Sequence, residues 1–383
     1  MKILRVISFP PEYIGGLPLY GKNISLNLAQ KKNVECDILT SDILNTKKKI
    51  EYLDPKVRII YKKCFSFIGQ KNPLVNFIPF IKRNHNNYDI IHAHGYYYFS
   101  TLQCAFLKRL LKYPFILHIH GGIQTPYSPV SDFYENIQLI FKENIFDRLI
   151  GRVAIRSADI LISVAKKDLE IIRKVYNVSE KLSFHIPNGV NINKFKKNNK
   201  IERRYITLIA TRLTYIKGVD IFIKIIKELY NKNRSLKFLI LGDGPLKDLV
   251  LQAKKSLPIK FYPTYPYDKI QDIYNMSKLL LITSRTEGVP NTIYESFACE
   301  TPVISSNVGG VSSVIKPNVN GYLYNIKKLN NIANLILDLI NDEKKIQRLG
   351  ENGRKLIEKE YSWEIITEKL YKIYQKIKFN KII

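Results

Sequence analysis

Residues 283–295 run Thr283-Ser284-Arg285-Thr286-Glu287-Gly288-Val289-Pro290-Asn291-Thr292-Ile293-Tyr294-Glu295. The apolar run that leads into them, Leu279–Thr283, predicts a buried strand. A loop holding Glu287 and Gly288 follows, and a helix is expected to begin around Pro290 or Asn291. A strand that ends in a loop opening a helix is the repeating joint of a doubly wound α/β sheet, and ligands of such sheets bind at the strand ends. The unpaired amides of a helix's first turn, together with its dipole, favour an anion, and Gly288 permits close backbone approach, so a diphosphate fits there. Glu295, about one turn into the helix, can accept hydrogen bonds from ribose hydroxyls, and Glu287 in the loop can hold a sugar hydroxyl. The plainer alternative is that both carboxylates only complement the helix dipole.

Outward from this stretch the same joint repeats. In residues 1–187 the strand candidates are Ile3–Phe9, Glu35–Thr40, Val57–Tyr61, Asp89–Ala93, Phe115–His118, Asp159–Val164 and Leu182–Ile186. A first helix is expected after Gly15-Gly16, with Tyr20, Ile24 and Leu28 as its buried stripe. Lys194–Arg204 is polar, charged and without periodicity, as a surface connection is. Beyond it come Tyr205–Ala210, Leu236–Leu241, Ile259–Tyr262, Leu279–Thr283 and Pro302–Ser305, a second doubly wound unit. Short apolar runs alternating with helical patterns predict parallel sheets with crossover helices. A chain of 383 residues exceeds one ordinary core, so two domains are expected: 1–187 and 188–362, with a C-terminal helix in 363–383 packing back on the first. In that helix, placed at Trp363–Lys378, Ile366, Leu370 and Ile373 share one face.

Two further strand ends carry candidates. Arg212-Leu213-Thr214-Tyr215-Ile216-Lys217-Gly218 follows the first strand of the second half, which sets Arg212 and Lys217 on the same sheet edge as Glu287. Two cations there could flank a departing diphosphate, although an Arg and a Lys in a loop are more often solvated. Leu241-Gly242-Asp243-Gly244-Pro245 ends the next strand. Gly242 and Gly244 either admit a ligand's flat surface or merely turn the chain.

Taken together and in this order, IPNGV at Ile186–Val190, ATRLTYIKG with Arg212 and Lys217, LGDGP, EGVPNTIYE with seven residues between Glu287 and Glu295, TPVISSNVGG and GYLY resemble the retaining glycosyltransferases of family 4. The resemblance covers nearly the whole chain. It implies an α/β GT-B fold, two Rossmann-like doubly wound domains facing each other across a cleft. The donor is then expected on the second domain and the acceptor on the first. Donor contacts are implied for Gly16, in the glycine-rich turn after the first strand, for Arg212, Lys217, Gly242 and Gly244, and for Glu287, Gly288, Val289, Asn291, Thr292 and Glu295. By the same match His120, in His118-Ile119-His120-Gly121, lies near the transferred sugar and joins Arg212, Lys217 and Glu287 in catalysis, while His118 points the other way or into the core. Two departures stand out. Cys299-Glu300 replaces a glycine usual at the end of the motif's helix, and Tyr262-Pro263 replaces a glycine near the nucleobase, which leaves the base open.

His92, His94, His118 and His120 form two His-x-His pairs, and alternation along a strand makes a metal site geometrically possible. No neighbouring carboxylate or Cys completes a ligand set, and the resemblance implies no metal and no cofactor beyond the nucleotide-sugar co-substrate. The absence of any Asp-x-Asp agrees with leaving-group stabilisation by Arg212 and Lys217.

The formal charge is +28, but it is spread evenly: net +12 over residues 1–190 and +16 over the rest. A dedicated basic arm for nucleic acid is therefore not expected. The excess is equally compatible with a lysine-rich genome and with an enzyme that holds an anionic donor beside an anionic membrane surface. Phe106-Leu107-Lys108-Arg109-Leu110-Leu111-Lys112 alternates apolar and basic residues at helical spacing, as a membrane-surface helix does and as an ordinary packing helix also does. Every long apolar run is interrupted before the roughly 20 residues a bilayer span needs, and the scattered Cys36, Cys64, Cys104 and Cys299 suggest neither disulfide nor zinc, so a cytoplasmic protein, at most peripheral on the membrane, is expected.

Three rival activities make different demands. A glycoside hydrolase needs two carboxyls astride one bond, roughly 5–9.5 Å apart, not beside a phosphate site. A nucleic-acid-binding protein would be indifferent to Glu287. A sugar-nucleotide epimerase on the same scaffold would convert donor without an acceptor. The partners expected are therefore a nucleotide diphosphate sugar and a glycan or lipid-linked acceptor in cell-surface polysaccharide synthesis.

Overall fold

The β-branched runs of the sequence form two sheets. The computed structural model describes residues 1–13, 15–68, 72–121 and 142–379. The strands are β1 Lys2–Val6, β2 Glu35–Ser41, β3 Ile50–Asp54, β4 Val57–Lys62, β5 Cys64–Ile68, β6 Asn72–Val75, β7 Ile90–His94, β8 Phe115–Ile119, β9 Ile160–Ser163 and β10 Ser183–His185, then β11 Tyr205–Arg212, β12 Lys237–Asp243, β13 Ile259–Tyr262, β14 Ser277–Ile282, β15 Val303–Ser306 and β16 Gly321–Tyr324. The first sheet has the order β10-β9-β8-β7-β1-β2-β4-β3 and is parallel except for β3, which runs back along β4. The second, β13-β12-β11-β14-β15-β16, is parallel throughout. Each sheet starts in its middle, builds to one side, and then returns to the middle to build the other. The order therefore reverses between β1 and β7 in the first sheet and between β11 and β14 in the second. At such a reversal the loops leave toward opposite faces and open a crevice at the carboxyl ends of the strands.

Two compact units contain these sheets. The first joins the chain up to Asn188 with the segment from Trp363 onward, and the second runs from Gly189 to Ser362. The Trp363–Lys378 helix buries Trp363, Ile366, Leu370, Ile373 and Tyr374 in the same core as Tyr20, Ile24 and Leu28 of the Gly16–Ala29 helix. Spacings of three and four residues put those side chains on one stripe. Lys31 and Glu368 close the edge of that contact at 2.6 Å.

Some elements depart from expectation. β1 ends at Val6 rather than Phe9: past a last backbone bond from Ile7 N–H to the Leu39 carbonyl at 3.0 Å, Ser41 Oγ donates to the Ser8 carbonyl at 2.6 Å and the hydroxyls of Ser8 and Ser100 meet at 2.7 Å. β3, the β5–β6 hairpin and β16 were not among the predicted strands. β3 lies at a sheet edge and the hairpin forms a separate two-stranded sheet, so neither shows the buried apolar run of a central parallel strand. The connection at Lys194–Arg204 is less free than its charge implies. Phe195 is buried, Arg354 Nη1 donates to the carbonyls of Ile192, Phe195 and Ala298, and Arg203 donates to the carbonyls of Cys299 and Glu300.

Glu300 stands at φ +54°, just past the Asn291–Ala298 helix, with Thr301 N–H bonded back to the Ser296 carbonyl at 2.9 Å. This is the left-handed position after a helix that normally takes glycine. The conformation costs an L-residue about 1–2 kcal/mol, against a partly exposed ion pair with Lys197 at 3.0 Å of a kind worth about 0–1 kcal/mol. Glu300→Gly is therefore expected to leave the urea midpoint unchanged or raise it, and Glu300→Val to lower it. Equal losses in the two variants would remove the strain from the account.

Candidate functional site

In the second unit, the strand reversal brings the loop after β11 against the loop after β14. Gly218 adopts φ +66°, and a Cβ there would stand 1.9 Å from the Thr283 carbonyl oxygen. Only glycine allows this approach. Thr283 Oγ1 donates to the Gly218 carbonyl at 2.8 Å, and Arg285 N–H donates to the Ile216 carbonyl at 2.7 Å. Arg285 also forms a two-pronged pair with Asp220 at 2.8 and 2.6 Å, while its guanidinium lies 3.5 Å from the centre of the Tyr215 ring.

This lacing joins two of the predicted residues. Lys217 Nζ donates to Glu287 Oε1 at 2.5 Å, and Ser284 Oγ donates to the same oxygen at 2.8 Å. Glu287 is only 12% exposed and Lys217 29%, so the pair is largely but not wholly withdrawn from water. Arg212, at the end of β11, is exposed, and its side chain makes no hydrogen bond to a described residue. Gly288 has open space on its Cβ side. The Asn291–Ala298 helix beyond it carries no side-chain cap and no acidic residue in its first turn. Val289 is packed into the core, and Asn291 and Thr292 are partly exposed.

Glu295 sits on that helix with its carboxylate accepting from the fully buried Tyr274 hydroxyl. Dense surroundings push its pKa up from 4.5 to about 7, opposed by the Tyr274 hydrogen bond and the charge of Lys194. Lys194 Nζ is itself held over the Tyr267 ring at 3.4 Å. The folded protein thus keeps a proton that the unfolded chain gives up between pH 4.5 and 7, so this group's contribution to stability falls as pH rises through that window. Glu295→Gln is expected to flatten the change in melting temperature between pH 5 and pH 7.5; an unchanged slope would place the proton elsewhere.

The glycines divide into two kinds. Cβ atoms at Gly242 and Gly244 would meet the Ala210 carbonyl oxygen at 1.8 Å and Leu213 backbone at 2.8 Å, so the close approach of this chain's own backbone requires glycine at both positions. Gly309, at φ +55°, would place a Cβ 1.6 Å from the Glu287 carbonyl oxygen, and Gly310 N–H donates to the Gly288 carbonyl at 2.8 Å. Gly309, Gly218, Arg285 and Asp220 all shape the Glu287 loop and were not singled out from sequence. The signal for the first lay in the NVGG run; the Asp220–Arg285 pair spans 65 residues and left none.

In the first unit, the strand reversal gathers histidines. His92 and His94 end β7, and His118 and His120 end β8 or follow it. His118 lies in the core on the same side as His120, since residues two apart on a strand share a face; the rings stack at 4.3 Å. His92, His94 and His118 are fully buried, whereas His120 keeps part of its surface. Candidate ligand nitrogens of His92, His94 and His118 lie within 4.8 Å of one another. Both nitrogens of His94 are also engaged, by the Arg5 guanidinium at 2.8 Å and by His120 at 2.9 Å. Gly16 is exposed at the first position of the Gly16–Ala29 helix, whose N-terminus is also uncapped.

The chain also matches known proteins over nearly its whole length. Residues 190–356 match the family described as Glycosyl transferases group 1, and residues 14–194 match Glycosyltransferase Family 4. An uncharacterized glycosyltransferase of Methanocaldococcus jannaschii is 29% identical over 383 residues, 98% of this chain and 99% of its own. The poly(ribitol-phosphate) alpha-N-acetylglucosaminyltransferase of Staphylococcus aureus is 29% identical over 198 residues, 50% of this chain and 39% of its own. Among solved structures, sucrose-phosphate synthase from Thermosynechococcus elongatus has the same fold with a TM-score of 0.80 at 19% identity, over 98% of both chains. An Anabaena protein in complex with UDP has a TM-score of 0.74 at 18% identity, over 98% of this chain and all of that one. The chain belongs to the family 4 type of glycosyltransferases with the GT-B fold.

Because Gly309 leaves no room beside Glu287, Gly309→Ala is expected to destabilise the second unit by more than about 1 kcal/mol and to cut transferase turnover with it. Thermal melts and turnover both equal to wild type would mean that the loop has slack.

Proposed function

We propose that this glycosyltransferase moves a hexose-type sugar, with retention at the anomeric carbon, from a nucleoside diphosphate sugar to a glycan or lipid-linked acceptor. The observation that carries the reading is the cluster of Lys217 and Ser284 on Glu287, set at the strand reversal of the second sheet and just before an uncapped helix. In the proposed complex the helix amides and the open side of Gly288 receive the diphosphate, and Arg212 and Lys217 balance its charge. Glu287 then accepts from a hydroxyl of the transferred sugar, Glu295 from the ribose, and His120 of the first unit faces the sugar. The bond between the anomeric carbon and the phosphate oxygen breaks, the acceptor oxygen bonds to the same face of that carbon, and the acceptor's proton passes to the departing phosphate. Two fixed cations take the place of a metal in this scheme.

Two comparisons guide the choice of substrates. The Anabaena neighbour is solved with UDP, with UDP and glucose, and with UDP-glucose, so uridine donors are the first to try. A Staphylococcus aureus relative is named for capsular polysaccharide biosynthesis, which favours a cell-surface glycan as the acceptor class. No helix among the described residues is long and apolar enough to cross a membrane. An anionic membrane surface is the proposed location of a lipid-linked acceptor. Phe106 and Leu110 stand 57% and 59% exposed on the Phe99–Leu111 helix, which packs beside the Gly151–Ser157 helix with its exposed Arg152 and Arg156. Flotation with liposomes of anionic lipid is expected to carry the protein, and Phe106→Asp to abolish it; no preference for anionic lipid would remove the membrane from the reading.

The central test incubates the purified protein with UDP-sugars and glycan acceptors and follows nucleoside diphosphate release and the anomeric configuration of the product. Lys217→Ala and Glu287→Gln are each expected to lower kcat by about 10²–10³, and a chelator to leave turnover unchanged. Conversion of the donor sugar without an acceptor would favour an epimerase instead, and loss of turnover on metal removal would overturn the role given to the two cations.

A further inference from the structure

The core of the first unit holds a cation with no anionic partner among the described residues. Arg5, in β1, is fully buried, and among those residues its guanidinium reaches only neutral groups. Nε donates to Ser25 Oγ at 3.1 Å, Nη2 to the Tyr374 hydroxyl at 3.1 Å and Nη1 to His94 Nε2 at 2.8 Å, with His92 Nδ1 at 3.5 Å. The Cys36 thiol beside it is pushed up to about 11 by burial and so carries no charge. A buried ion costs several kcal/mol when unpaired, and a guanidinium cannot shed its proton. The position therefore calls for a reason beyond packing.

Because a guanidinium only donates, its contacts determine the protons of its neighbours. His94 accepts at Nε2, so its single proton sits on Nδ1. That nitrogen lies 2.9 Å from His120 Nε2, which must accept, so the proton of His120 sits on its own Nδ1. No described residue offers His120 Nδ1 a partner. The remaining titratable groups around the ring are Tyr20 of the Gly16–Ala29 helix, whose ring meets it edge-on at 4.8 Å, His118 stacked on it at 4.3 Å, and His92 beyond His94. Tyr374, from the Trp363–Lys378 helix, closes the far end by meeting His92 Nδ1 at 2.6 Å. None of these is an acid that would draw a second proton onto His120, and burial together with the charge of Arg5 pushes its pKa down to about 3.

We propose that Arg5, acting through His94, holds His120 as the neutral tautomer protonated on Nδ1, so that His120 presents the sugar nucleotide with a hydrogen-bond donor and never an acceptor. Arg5 and His94 are positioning residues in this arrangement; His120 makes the contact, which rests on its placement near the transferred sugar proposed above. A cation at the far end of the chain draws electron density along it, so each successive N–H becomes a stronger donor. The partner suited to such a donor is an oxygen that gains negative charge during transfer.

The experiment is a long-range proton–nitrogen correlation spectrum of the full chain labelled in histidine, read beside steady-state kinetics with a UDP-sugar. In the wild type, His94 and His120 are expected as neutral rings protonated on Nδ1 from pH 5 to pH 8. Arg5→Met, similar in length but uncharged, is expected to release the tautomer of His120 and lower kcat by about 10–100-fold with little change in the donor KM. Arg5→Lys, which can still donate to His94, is expected to restore the tautomer and part of kcat. A purely structural Arg5 would lower the melting temperature in Arg5→Met while the tautomer and the kcat of folded protein stayed as in wild type, and that result overturns the proposal. So does a wild-type spectrum with His120 protonated on Nε2 or on both nitrogens at pH 7, a readout that stands even if the Arg5 variants fail to fold. His120→Ala with full turnover would instead remove His120 from the sugar while leaving the tautomer assignment intact, so the two readings fail separately.

Discussion

Everything in the second unit depends on how closely two loops approach at one point. Where β11 and β14 run side by side, the backbone at Gly218 touches the Thr283 carbonyl more closely than any side chain would permit. That contact puts an ammonium and a carboxylate, 70 residues apart in the chain, within a hydrogen bond of each other. A second close backbone contact, of Gly309 with the Glu287 carbonyl, holds the loop that carries the carboxylate. The loops that carry the charged pair are thus held by close backbone contacts, reinforced by the Arg285–Asp220 pair. Such preorganisation suits a site whose work is electrostatic, since fixed charges need no rearrangement as the reaction proceeds.

The periodic part of this architecture was legible from the residues. Apolar runs of strand length separated by helical stripes gave both sheets, and the Trp363–Lys378 stripe gave the last helix to the residue, because a buried face leaves a repeating mark. Edges leave none. Ile50–Asp54 and the Cys64–Ile68 hairpin are short, partly exposed and antiparallel, and their pairing is decided by the neighbouring strand more than by their own composition. Charged residues were the other blind spot. Phe195 sits within KFKKNNK and is buried, because Arg354 and Asn275 bond to the surrounding carbonyls from 159 and 79 residues away.

The site was legible as a set of residue types and not as a set of contacts. Glu287, Lys217 and Arg212 could be placed on one sheet edge, but that Lys217 and Ser284 would share a single oxygen of Glu287 depends on loop geometry no spacing expresses. Gly242 and Gly244 were read either as ligand contacts or as turn residues, and the close backbone approach that demands glycine at both is visible only in the neighbouring atoms. Arg5 was invisible for a related reason. In MKILRVI it is one charge in an apolar strand, and its partners come from positions 25, 92, 94 and 374.

The return of the Trp363–Lys378 helix to the first unit also sets an order of events during synthesis. Leu370 and Tyr374 complete the core around Tyr20 and Arg5, yet some 170 residues of the second unit, Gly189 to Ser362, leave the ribosome before they do. Domains usually fold as they emerge, the N-terminal one first. Here the N-terminal unit must wait with one wall of its core open, its buried cation short of the Tyr374 hydroxyl, until the later unit has been made. The half that starts first finishes last, which makes the nascent first unit the stage most exposed to chaperones, proteases and misassembly.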